Sequence, residues 1–76
     1  MNQAEFLKSV ADAIDYDGII LPDQDVDTLN EWDSLGVLSV LVFLSEIGLQ
    51  VDSTRLASIV NISELLEISK SVLAEN

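Results

Sequence analysis

Trp32-Asp33-Ser34-Leu35-Gly36-Val37-Leu38-Ser39-Val40-Leu41-Val42-Phe43-Leu44-Ser45-Glu46-Ile47-Gly48 is the longest apolar run of the chain. Asp33 is a strong helix N-cap type, and Gly48 is a natural residue to end a helix. Together they predict a helix from Ser34 to Ile47, too long for a buried strand and too short to cross a bilayer. Only Glu46 within it is charged. A helix this apolar cannot bury every side. The reading places Leu35, Leu38, Leu41 and Leu44 on a core-facing arc, with Val40 and Ile47 near it. That leaves Val37, Val42 and Phe43 toward solvent.

Outward from this segment the pattern is helical throughout. Phe6, Leu7, Val10 and Ile14 fall on one stripe and predict a helix over 3–15, with Asn2 and Glu5 at capping-box spacing. Asp15-Tyr16-Asp17-Gly18 stops it. Residues 16–33 form the longest connection, with the only proline and five aspartates. Ile19, Ile20, Leu21, Val26 and Leu29 predict that this loop is pinned onto the core, with a short helical turn at 28–31. Thr54 to Ser58 forms a short third helix. Asn61 caps the last, with Glu64 at capping-box spacing and Ile62, Leu65, Leu66 and Leu73 on its buried side. The expected fold is an all-α, four-helix bundle, three longer helices and one short one, in a single domain over 1–76.

Composition narrows function. The chain of 76 residues carries 14 acidic and three basic side chains, no histidine, and a formal charge of -11. Nucleic acid and anionic membrane surfaces are disfavoured as partners, because both are bound largely through Lys and Arg. Basic patches on other proteins are favoured. Without Cys or His, no thiolate metal site and no Ser-His or Cys-His arrangement can be assembled. Asp23-Gln24-Asp25-Val26-Asp27 imitates a calcium loop, but its turn glycine is replaced by Thr28 and its bidentate glutamate by Ser34, so no metal site is expected. Asn61-Ile62-Ser63 matches a glycosylation sequon but carries little weight without a secretory leader. With no leader and no membrane span, a monomer in the cytoplasm is expected, with a binding or carrying role and no enzyme activity of its own. A domain of this size buries only about 60% of its unfolded surface, which leaves little margin for a deep catalytic cleft.

Ser34 is the residue of interest. At a helix start, free N–H groups and the macrodipole favour an attached phosphate. The same position also suits a serine that merely caps the helix, and local physics does not separate the two. Asp33-Ser34-Leu35 resembles the Asp-Ser-Leu signature of acyl carrier proteins and the related peptidyl carrier domains. The length, the acidity, the long first loop and the helix order are similar as well, so the resemblance extends over the chain.

That resemblance implies that Ser34 receives 4'-phosphopantetheine from coenzyme A. Asp33 matches the acid that assists the magnesium-dependent phosphopantetheinyl transferase, and Leu35 matches a residue that inserts toward partners or packs at the helix start. It further implies a phosphoprotein that holds acyl or aminoacyl groups as thioesters between loading and accepting enzymes. The pathway would be fatty-acid, polyketide or nonribosomal in type. Gly36 stands where many members carry Asp, and the shortage of acids departs from the usual acidic second helix. Gly36, Val37, Val42 and Phe43 are therefore read as an apolar partner face for specialised partners. Burial by an oligomer or a deeper seat for the helix is the competing reading. Trp32 either steadies the loop or lies against the arm or a partner. An unmodified acidic interaction module is the alternative to the whole carrier reading.

Overall fold

In the computed structural model, which describes residues 1–73, four helices surround one core: α1 (Gln3–Ala13), α2 (Ser34–Glu46), α3 (Ser53–Ala57) and α4 (Ile62–Ile68). Single 310 turns lie at Val26–Thr28 and Lys70–Val72. The small all-α bundle expected from the sequence is what forms. Among the described residues no helix is long and apolar enough to cross a membrane.

The helix ends are where the capping residues put them. Asn2 and Glu5 form a reciprocal capping box on α1, and Asn61 and Glu64 form another on α4. Both long helices close with paired C-terminal bonds. Tyr16 N donates to Ala11 O at 2.8 Å and Leu49 N to Leu44 O at 2.8 Å, with Asp15 and Gly48 at positive φ between them. This closure ends α1 at Ala13, two residues before the predicted limit. The turn expected at 28–31 forms instead at Val26–Thr28. The last helix stops at Ile68, so Leu73 packs partly buried on the core from beyond the 310 turn.

Phe6, Leu7, Val10, Ala11 and Ile14 supply the core from α1. Leu56, Ile59, Ile62 and Leu65 close it from α3, α4 and the segment between them. The α2 contribution differs from the expected arc: Gly36, Val37, Val40 and Leu44 are buried, while Leu35 and Leu38 are exposed. Phe43, expected in solvent, is half-buried and lies 5.7 Å from the Phe6 ring. The cause is the long loop. It crosses α2 at Gly36, where a Cβ would overlap the Glu31 carbonyl oxygen and stand 3.4 Å from Ile14 Cγ2. The close approach that Gly36 permits is thus to the protein's own backbone, and the side chains in line with it, Val40 and Leu44, turn inward.

The loop itself is pinned, as its apolar residues suggest, but not by all of them. Ile20, Val26 and Leu29 are buried, whereas Ile19 and Leu21 point out. Its middle is bonded to the segment that leads into α4. Val26 N donates to Val60 O at 3.1 Å, and Ile62 N donates to Gln24 O at 2.8 Å. Asn61 Nδ2 donates to Asp23 O at 2.8 Å and to Asp25 Oδ1 at 2.9 Å, so the sequon asparagine is spent on the fold.

Candidate functional site

The start of α2 is held from two directions. The loop backbone sits on Gly36 from one side, and half-buried Trp32 packs against the core immediately before the helix. Asp33 then adopts an extended backbone and accepts from Gly36 N through Oδ1 at 2.9 Å. Asp33 is therefore the N-cap. Ser34 is the first helical residue and exposed, so its hydroxyl is not the capping group. The cap of α2 is thus assigned to Asp33 and not to Ser34. By helix geometry the amides of Ser34 and Leu35 have no carbonyl to reach within α2. They present donors and the positive end of the dipole at the serine.

An open groove of about 660 Å³ begins at Ser34. Trp32, Asp33, Val37, Leu38 and Leu41 line one wall, and Ser53, Thr54 and Ala57 of α3 with its C-cap Ser58 line the other. α3 is a single short helix capped by Asp52, which accepts from Thr54 N at 2.8 Å. The groove is thus apolar along α2 and hydroxyl-bearing along α3. Sequence reading missed the α3 wall because nothing in Ser53–Ser58 marks it as more than a short capped helix. Trp32 packs on the core, as the first of its two readings expects, and it also borders the groove. Its indole Nε1 is buried with no hydrogen-bond partner among the described residues.

The expected partner face is rearranged. Val42 is 54% exposed, as predicted, but Val37 is 7% exposed and Gly36 is buried under the loop. Neither of those two can meet a partner without unpacking the helix, and Phe43 is largely committed to Phe6. Their place on the surface is taken by Leu35, at 72% exposure, and Leu38, at 57%. Together with Val42 they give α2 an uncharged outer surface beside Ser34. The signal that would have located them is Gly36. A glycine in the first helical turn marks a backbone approach, and the positions four and eight residues on then belong to the core.

Compared with known protein families, with curated proteins and with solved structures, the chain matches none. The arrangement at Ser34 must therefore be weighed on its own chemistry. An exposed primary hydroxyl, two free amides, an adjacent carboxylate and a bordering groove can hold a phosphodiester and a chain attached to it. With no His or Cys anywhere in the sequence, they supply no imidazole or thiol to activate that hydroxyl.

Proposed function

We propose that this protein is a carrier modified on Ser34 by 4'-phosphopantetheine, and that it holds acyl or aminoacyl groups as thioesters for transfer between partner enzymes. The observation that carries the reading is the division of labour at the start of α2: Asp33 caps the helix, which leaves the Ser34 hydroxyl exposed at the first helical position. The resemblance of Asp33-Ser34-Leu35 to the carrier signature points the same way. The residues fit the group. A phosphate on Ser34 would meet the first-turn amides, and the neighbouring groove has room for the arm.

When bound, the group supplies a terminal thiol for thioester chemistry. The chain's own contribution is positional. A phosphopantetheinyl transferase would direct the Ser34 hydroxyl onto the phosphorus of coenzyme A that bears the pantetheine. The serine O–P bond forms, the P–O–P bond of the pyrophosphate breaks, adenosine 3',5'-bisphosphate leaves, and the hydroxyl proton passes to the transferase or solvent. Asp33 is the residue of this chain that would assist the enzyme's magnesium ion. Afterwards the carrier performs no bond-making. It raises the effective concentration of the bound group at each partner's catalytic site. Leu35, Leu38 and Val42 offer these partners an apolar surface where charge steering is weak, which suits a specialised lipid, polyketide or nonribosomal-type pathway in the cytoplasm.

Intact mass spectrometry tests the reading. The folded chain is incubated with coenzyme A and a broad-specificity transferase, with Ser34→Ala as control. One phosphopantetheinyl group on the wild type and none on the variant is expected. An unmodified wild type would overturn the carrier reading and leave an acidic interaction module. Loading assays with adenylating enzymes and candidate acids then distinguish an amino acid from a fatty or polyketide cargo.

A further inference from the structure

A second groove, of about 560 Å³, lies between α1 and the first part of the long loop and shares no residue with the groove at Ser34. Leu7 and Ala11 of α1 and Ile20 of the loop line it with apolar side chains. Ile19, 84% exposed, and Leu21, 55% exposed, border it from the loop. Two branched aliphatic side chains flanking a buried one are costly to leave in water, and a free loop would fold them under.

This loop is not free. Leu21 N donates to Gln24 Oε1 at 3.0 Å, and Gln24 N donates to Leu21 O at 3.2 Å. Gln24 O in turn accepts from Ile62 N at the start of α4. The outward setting of Leu21 is thus fastened to the far side of the bundle. A rim held in this way loses little freedom when something docks on it.

The surroundings are acidic. Asp12 and Asp17 line the groove, and Asp15 and Asp23 adjoin its lining residues; all four are exposed. Lys8 is the one basic residue among the lining side chains. A second copy of the chain is a poor occupant, because both would carry a formal charge of -11.

We propose that this groove docks a basic amphipathic segment of a partner protein. Its apolar side chains seat against Ile19, Leu21 and Leu7, and its Lys or Arg residues face Asp12 and Asp17. The site is independent of Ser34 and is present in the unmodified chain.

Amide chemical-shift mapping tests it on the unmodified full chain, titrated at physiological salt with a Leu/Lys amphipathic helical peptide. A scrambled peptide of the same composition and sodium octanoate serve as comparison ligands. Shifts should centre on Leu7, Ala11 and residues 16–21. The double variant Ile19→Ser, Leu21→Ser should weaken binding about tenfold or more with an unchanged melting temperature. Asp12→Asn with Asp17→Asn should weaken it less and flatten its salt dependence. Leu38→Ser with Val42→Ser should leave it unchanged. Shifts centred on α2, equal binding of the scrambled peptide, or occupancy by octanoate alone would each overturn the proposal. Because no coenzyme A is used, these outcomes are separate from failure of the carrier reading.

Discussion

Gly36→Ala sets two physical effects against each other. Helix propensity favours alanine over glycine inside a helix by about 1 kcal/mol. By that reasoning alone the variant should be more stable. The packing opposes it. A Cβ at position 36 overlaps the Glu31 carbonyl oxygen and stands 3.2 Å from its carbonyl carbon. Because the obstacle is backbone, no side-chain rotation relieves it, and the 30–33 segment must lift. That segment carries Trp32 and follows buried Leu29, so lifting it disturbs the core. Overpacking of this kind costs about 1–3 kcal/mol, and forced backbone displacement belongs at the upper end. After the propensity gain is subtracted, a net loss of about 1–2 kcal/mol remains. For a domain of this size that lowers Tm by about 5–15 °C. Circular-dichroism melts of Gly36→Ala should show this drop, with exposed Ser45→Ala in α2 as the propensity control. A Gly36→Ala variant melting at or above wild type would refute the placement of the loop on α2.

Asn61→Asp keeps a capping oxygen but replaces the amide donor to Asp23 O and Asp25 Oδ1 with a like charge; urea unfolding should show a loss of about 2–3 kcal/mol. Ser69 is fully buried and its hydroxyl has no partner among the described residues, so Ser69→Ala should hold or raise the urea midpoint, by up to about 1 kcal/mol. Salt should raise Tm. The molecule measures 30 × 24 × 19 Å, so at about 0.01 M ionic strength, where the screening length is about 30 Å, its acidic groups repel one another across the whole body; a melt unaffected by added salt would contradict this. Val37→Asp should unfold the chain in melting experiments by burying a charge, whereas Leu38→Asp should melt normally and, under the proposed carrier function, slow transfer to or from a partner enzyme.

Much of the fold is legible because the signals are local. The Asn2–Glu5 and Asn61–Glu64 capping boxes and the Asp33 cap each form within one turn, and each lies where the sequence places it. The rotation of α2 was not legible. A helix whose residues are nearly all apolar has no polar face to fix which side turns inward, and the deciding contact comes from Glu31, which belongs to a loop. For the same reason the position of Ser34 could be read but the exposed residues around it could not. The outward setting of Leu21 was hidden likewise, since it is fastened through Gln24 to Ile62, about 40 positions away.

Those bonds also bear on when the protein becomes itself during synthesis. Residues 23–26 can make these bonds only once 60–62 have been made. Before then α1 and α2 can form, yet the segment between them lacks its far anchor, and Glu31 and Trp32 are tethered at one end only. A growing chain that has already exposed Ser34 has therefore not yet assembled the surface around it. The start of the last helix is thus the latch for a loop whose other end lies beside Ser34.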